Sequence, residues 1–517
     1  MAELFPCPSC GGQLVYDPTR GQMKCRSCGS FFDVEGYKPK SFDYTRQILT
    51  CPSCGGEVAA PSLEGMEFCP YCGTEIANAQ AFSEKGYPEL IIPFSLSKED
   101  CIDRYRRMVK GVPFLPDELS GTDGLSSFVG LYTPYWIYHY KASGTVVAPV
   151  EKYTSDAVYD YHYLADMKTD LDCSISMGVD ASATLDDTVS EKLDPFFIDK
   201  LEEFNPDYMA GFYAENSTVD PSVYVDSARA KCSETIVKKM DQMAEENNDY
   251  SIGDFKGTCQ RVADHLTVEK ESTGAYLPLW FLTTRKNNRV AYTVVNGQTG
   301  VTYADLPVDI GKYVRASLIT SFVCAILLLL LFAVFGTIDM RIVPYVTLIF
   351  SSVLMIISAI QSERIYRKEN HTDDAGYTGV KKRAEYNAGS FKVFSGKDAA
   401  GLVVGGLCLI GFFGNLFSGN FFKLIGIASI VVALVVIATR TSGSFSKTTL
   451  FAGAGAAISL ADIFLAPHQD IFLYGLIIAN LLVLIIVAYR LTADYNRLAT
   501  SPLPQFQKTG GGLNERY

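Results

Sequence analysis

The sequence predicts a multidomain membrane protein in three parts: tandem four-Cys zinc ribbons, an α+β soluble domain with an internal duplication, and an all-α transmembrane domain of six helices. Three observations predict it. Eight of the fourteen Cys fall as C-x-x-C pairs within residues 7–72, long apolar runs follow residue 316, and the charges are concentrated before it. At 517 residues the chain is too long for one compact core. Hydrophobic residues at 48% against 20% charged, with a mean hydropathy of +0.12, exclude a wholly disordered chain.

Residues 1–80 carry the ribbons. CPSCGG at 7–12 recurs at 51–56, and the same shift of 44 carries Cys25 and Cys28 onto Cys69 and Cys72. Each copy, 7–28 and 51–72, places fourteen residues between its two Cys pairs. Two residues between thiolates let one tight turn aim both sulfurs at a metal, and the following glycine lets the backbone fold beneath them. The expected ligands are Cys7, Cys10, Cys25, Cys28, Cys51, Cys54, Cys69 and Cys72, holding two Zn2+ per chain. Sequential and interleaved pairings of the four Cys pairs both stay open. A four-thiolate site leaves no position for water or substrate, so the metal is structural. The start, MAELFPCPSC, has neither a basic n-region nor an apolar h-region, so no secretory signal is expected. The other six Cys are scattered, and free thiols beside metal-type pairs place the front of the chain in a reducing cytosol.

Residues 81–316 form the α+β domain. They hold 23 Lys/Arg against 37 Asp/Glu, a local net of 23 − 37 = −14, which disfavours tracking a phosphate backbone. Gly130-x-Tyr132-x-Pro134-x-Trp136 reappears as Gly274-x-Tyr276-x-Pro278-x-Trp280, offset by 144 and containing both tryptophans of the chain. Each copy is expected to open a buried strand, over 135–148 and 289–304, with its aromatics in the core; a binding groove lined by them is the rival reading. Asn296-Gly297 predicts a type I′ hairpin. Ser97-x-x-Asp100 caps a helix over 98–110, and a second apolar stripe predicts one over 227–247.

Six apolar segments follow, at about 317–336, 342–360, 399–416, 421–439, 449–466 and 471–489, each near the ~20 residues a membrane-spanning helix needs. The loop 361–398 carries eight Lys/Arg, and the bias of alternate connections predicts a multi-pass cell-membrane protein with both termini cytoplasmic. Residues 491–517 read as a flexible cytosolic tail. Lys423 and Asp462 are ionisable residues inside expected spans, read as one structural ion pair near the outer face.

No catalytic constellation is found, so no enzyme is expected. His139, His162, His265, His371 and His468 show no metal-binding spacing; Ser395-Gly396-Lys397 lacks the upstream glycine of a phosphate loop.

The CPSCGG ribbons, PFFIDKLEEFNPDYMAGFYAE and YLPLWFLTTRKNNRVAYTVVNGQTGVTYADLP together resemble the bacterial TFIIB-type zinc-ribbon membrane proteins of YdjG type, sometimes labelled primosomal helicase-like. The resemblance implies recruitment of phage-shock-type peripheral proteins to the membrane in envelope stress. The expected function is therefore a membrane-anchored scaffold that docks cytosolic proteins through its ribbons, with homo-oligomerisation left open. One rival is a transporter or channel regulated by the soluble half. Another is a nucleic-acid-associated ribbon protein, which is disfavoured because residues 51–80 carry four Glu and no Lys or Arg.

Overall fold

The alternation along two long strands organises the soluble half. The computed structural model describes residues 5–34, 47–60, 69–74, 87–120, 128–156, 159–182, 185–335, 343–372, 374, 376, 419–440, 447–465 and 470–504. Strands β1 (Leu14–Asp17), β2 (Gln22–Cys25) and β3 (Phe31–Asp33) form a small antiparallel sheet. A twelve-stranded sheet runs β14-β13-β12-β7-β10-β5-β4 along its main path. Its members on that path are β4 (Gln47–Thr50), β5 (Glu57–Ala60), β7 (Val129–Ser155), β10 (Tyr213–Ala214), β12 (Leu266–Lys286), β13 (Arg289–Asn296) and β14 (Thr302–Ala304). Further strands β6 (Leu90–Ile91), β8 (Asp160–Asp180), β9 (Glu202–Glu203), β11 (Ser251–Ile252) and β15 (Ser501–Pro502) join it at the sides.

Successive side chains of a strand point to opposite faces, and here both faces are covered. Tyr276, Trp280 and Leu282 enter one buried cluster, with Phe94, Tyr105 and the first ribbon. Ala275, Leu277, Leu279 and Phe281 enter another, with the second ribbon and residues 185–196. Helix α1 (Lys98–Val109) lies on the first face; Ser97 and Asp100 make the reciprocal capping box expected of them. Short helices α2 (Asp117–Ser120) and α3 (Asp187–Ser190) follow. Helices α4 (Val225–Asn248) and α5 (Phe255–Asp264) bury Ala228, Cys232, Val237, Met240 and Val262 against Tyr138, Tyr140 and Ala142 of β7.

The repeated motif pairs with itself. Across β7 and β12, Trp136 faces Gly274, Pro134 faces Tyr276, Tyr132 faces Pro278 and Gly130 faces Trp280. The two copies therefore run antiparallel about the Thr133–Leu277 pair. Each Trp then reaches the entry to the helix of the other copy. Trp280 donates its indole N–H to the Leu96 carbonyl ahead of α1 at 3.1 Å, and Trp136 donates to the Val219 carbonyl ahead of α4 at 2.8 Å. Tyr132, Tyr276 and Trp280 are core, with both tyrosines fully buried, whereas Trp136 is half-buried. A groove of about 260 Å³ nonetheless opens beside Pro134, Trp136 and Gly274.

Three expectations are corrected. The expected first strand, 135–148, lies inside the 27-residue β7, which pairs along its length with β8 into a hairpin arm. Asn296-Gly297 does not make a two-residue turn. Its side chain caps a five-residue loop instead, accepting from Gln298 N and Thr299 N, with the positive φ at Gly300. Residues 491–517 are not all a flexible tail. Residues 491–498 continue a helix, and Ser501 and Pro502 pair with β13. Arg289 holds this end by donating to the carbonyls of Arg497 and Thr500, and Arg497 forks onto Glu369 at 2.6–2.8 Å. Residues 505–517 lie outside the described set.

The apolar half contributes α6 (Ile310–Phe335), α7 (Val343–Glu369), α8 (Gly419–Arg440), α9 (Lys447–Leu465) and α10 (Asp470–Leu498). Against six expected spans, two helices of the described residues are long and apolar enough to cross a membrane, Pro344–Glu369 and Ile478–Leu498; Ile425–Ile437 is a shorter apolar stretch. The run at 399–416, and most side chains of the run at 317–336, lie outside the described residues, while α9, over the expected run at 449–466, is described but is not among the two. Between the helices, hydroxyls pair: Ser358 with Thr449 at 3.1 Å, Thr347 with Ser459 at 2.9 Å and Ser429 with Ser352 at 3.2 Å. These bonds satisfy polar groups that would be costly in hydrocarbon. The side chain of Lys423 lies outside the described residues, so its pairing with Asp462, itself half-buried, does too.

Candidate metal centres

Each Cys pair sits in a tight turn built by its following residues. Gly11 N–H donates to the Cys7 carbonyl at 2.9 Å and Gly29 N–H to Cys25 at 3.0 Å; Gly55 and Gly73 do the same for Cys51 and Cys69 at 2.8 and 2.9 Å. All four glycines take φ between +66° and +77°, the left-handed region where a side chain is strained. Closing bonds run from Cys7 N to Gly12, Cys25 N to Ser30, Cys51 N to Gly56 and Cys69 N to Thr74. Within the turns, backbone N–H groups also reach sulfur: Gly12 to Cys10 at 3.5 Å, Cys28 to Cys25 at 3.4 Å and Gly56 to Cys54 at 3.4 Å. Local sequence thus shapes four equivalent sulfur-presenting knuckles.

The knuckles meet in sequential pairs. Cys7, Cys10, Cys25 and Cys28 form one cluster and Cys51, Cys54, Cys69 and Cys72 the other, every sulfur within 4.8 Å of its three partners. The interleaved arrangement is excluded. Contacts across each cluster are Cys7–Cys28 3.7 Å, Cys10–Cys25 3.5 Å, Cys51–Cys72 3.7 Å and Cys54–Cys69 3.8 Å. A tetrahedral ion with metal–sulfur bonds of about 2.3 Å separates its sulfurs by about 3.8 Å. Both clusters therefore fit a metal ion, and zinc is compatible with each. The crowded thiols titrate apart: the Ser30 hydroxyl and backbone N–H lower Cys28, and Cys54 and Cys69 lower Cys51, whereas Cys54 and Cys69 are raised, chiefly by Cys51. Cys101, Cys173, Cys232 and Cys259 form no disulfide.

The two clusters differ in their surroundings. In the first, Cys10 and Cys28 are exposed while Cys7 and Cys25 are buried; in the second all four are buried. The second ribbon is built into the main sheet, because β5 pairs with β10 and the cluster shares a core with Leu131, Leu279 and Phe281. Its second knuckle is held by Tyr292, which donates to the Tyr71 carbonyl at 2.7 Å, by Arg285, which donates to the Thr74 hydroxyl at 2.9 Å, and by the Thr283 hydroxyl on the Pro70 carbonyl. The first ribbon docks by its back. Phe5, Leu14 and Met23 are buried with Tyr132 and Phe212, and Tyr16 N–H donates to the Ala210 carbonyl at 2.9 Å. Its metal knuckles face outward, beside exposed Arg20, Lys24 and Arg26; Arg20 lies 4.3 Å over the Phe31 ring.

Beneath that first ribbon Asp207 is 2% exposed, with one oxygen buried without a hydrogen-bond partner. Burial pushes its carboxyl up to about 7, whereas an unfolded Asp titrates near 3.9. The folded chain holds this proton to higher pH than the unfolded chain, so stability falls as pH rises from about 4 to about 7 and is level above. Asp207→Asn is expected to stabilise the domain at pH 8 by on the order of 3 kcal/mol. Thermal melts across pH test this, with the advantage shrinking towards zero near pH 4; a constant difference at every pH refutes it.

A mixed α/β domain carrying two four-Cys clusters, followed by helices apolar enough for a membrane, is the class these features define. Among curated proteins, the chain is similar to the uncharacterized protein YdjG of Bacillus subtilis (strain 168), 29% identical over 327 residues. The likeness spans 92% of YdjG but 60% of this chain. No family model matches the chain, and no solved structure matches it.

Proposed function

We propose that this protein is a multi-pass membrane anchor whose clusters hold one zinc each, and whose first ribbon docks cytosolic proteins at the inner face of the membrane. The observation that carries it is the division of labour between the ribbons. The second is consumed by the core, whereas the first leaves two metal-fixed knuckles and a basic, aromatic-backed patch exposed. A rigid surface loses little entropy on binding, and the charge of Arg20, Lys24 and Arg26 suits an acidic protein face. The orientation has support of its own. Helix α6 leaves the soluble domain, while α7 and α10 end against it through Glu369, Arg497 and Arg289. This contact supports reading both ends of the apolar half as lying on the side of the soluble domain.

The closed thiolate clusters leave no open position for chemistry, so no enzymatic step is assigned. The transporter reading draws on the polar residues of the helix bundle, but the hydroxyls there bond one another across helices. A chain with Arg20→Glu, Lys24→Glu and Phe31→Ser, purified from detergent-solubilised membranes, is expected to lose its co-purifying cytosolic proteins while keeping two zincs and inserting normally. Unchanged partners would refute the docking role. Recovery of nucleic acid that dissociates steeply with salt would favour the nucleic-acid reading instead.

A further inference from the structure

We propose that Asp186, His371 and Asp374 form a third metal site, which holds a divalent cation between the α+β domain and the segment that follows α7. One ligand atom from each residue lies within 4.8 Å of the other two, and His371 Nδ1 is 3.8 Å from an Asp374 oxygen. A first-row ion bound at about 2.0–2.2 Å sets imidazole and carboxylate ligands about 3–3.5 Å apart. A shift of about half an ångström brings His371 and Asp374 to that spacing. Asp186 caps α3 through one oxygen, which accepts from Thr188 N and the Thr188 hydroxyl, so its other oxygen remains for an ion.

The surroundings point the same way. Asp180 is 1% exposed and in electrostatic reach of Asp187 and Asp374; one of its oxygens takes the Ser190 hydroxyl, and the other is buried with no hydrogen-bond partner. Asp374 is itself 4% exposed. Gathering buried carboxylates costs several kcal/mol per charge unless a cation or a proton compensates. A solvated His–Asp ion pair would explain an exposed carboxylate, but Asp374 is covered. The segment is held in place from both ends, by Glu369 on Arg497 and by the approach of Gly376 to Tyr224 and Val219. One imidazole with two carboxylates suits manganese or zinc, and it is chemically distinct from the thiolate clusters, which disfavour manganese. The bound ion would fasten the end of α7 to the soluble domain.

The test uses the full-length chain in detergent with its thiolate sites zinc-loaded, titrated with Mn2+ while the free ion is read by electron paramagnetic resonance. One Mn2+ per chain is expected to bind. Asp374→Asn and His371→Gln should each weaken binding at least tenfold and leave the zinc content unchanged. His371 is the more exposed of the two, so its variant decides the matter if Asp374→Asn misfolds. A wild-type chain that leaves all Mn2+ free, or variants that bind as tightly as wild type, would overturn the site.

Discussion

Cys69→Ser is expected to unfold the soluble domain, whereas Cys10→Ser should cost one metal ion and little else. Each is one of the four sulfurs of a cluster in ribbons of the same spacing, so ligand chemistry does not separate them. Their surroundings do. Cys69 and its three partners are buried in one cluster with Tyr71, Leu131, Leu277 and Phe281, and β5 of that ribbon extends the main sheet. A structural zinc contributes about 10–16 kcal/mol to folding of its module, comparable to or larger than the ~5–15 kcal/mol that holds a typical domain together. Losing it there removes the support beneath β13 and leaves Thr283, Arg285 and Tyr292 without the knuckle they hold. Cys10 is exposed, and the back of its ribbon still packs through Phe5, Leu14 and Met23. Zinc counting with a thermal melt on each purified variant checks the contrast. Equal losses of stability in the two variants would refute it.

The sequence made the eight Cys ligands legible because knuckle geometry is set within six residues and needs no tertiary context. Helix α1 was legible for the same reason, through Ser97 and Asp100. Exposure was not. The four Glu of residues 51–80 spoke only against nucleic acid, and the burial of Val58, Tyr71 and all four sulfurs depends on β10 and β13, more than 130 residues away in the chain. Similarly, Asn296-Gly297 carries a local hairpin signal, but the Asn296 amide is committed to the carbonyls of Leu193 and Pro195, and that long-range bond decides the turn. The arm of β7 and β8 escaped notice because much of β8 is exposed on both faces, which leaves no period-two apolar pattern to read. His371 and Asp186 are 185 residues apart, so spacing alone could never have placed them together.

Trp280→Ala should destabilise the soluble domain by about 3–5 kcal/mol, the range for deleting a large core aromatic, and Trp136→Ala, at a half-buried site, by less. The reason lies in the self-pairing of the repeat. Trp280 is 6% exposed and lies 5.2 Å from Phe94 and 5.8 Å from Phe212, ring centre to ring centre. Its indole also ties the approach to α1 through Leu96. Trp136 performs the reciprocal task ahead of α4 through Val219. The Phe variants separate the two contributions. Trp→Phe keeps much of the apolar volume but leaves a carbonyl without its donor, a cost of about 1–3 kcal/mol. Because Trp136 packs against a different buried cluster and faces Gly274, six residues along β12 from Trp280, the two losses should add to within about 0.5 kcal/mol. Denaturant unfolding of the four single variants and the Trp136→Phe/Trp280→Phe double variant measures this coupling. A coupling well above that would refute it, and would mean that the antiparallel register joining Trp136 to Gly274 and Gly130 to Trp280 carries strain from one site to the other.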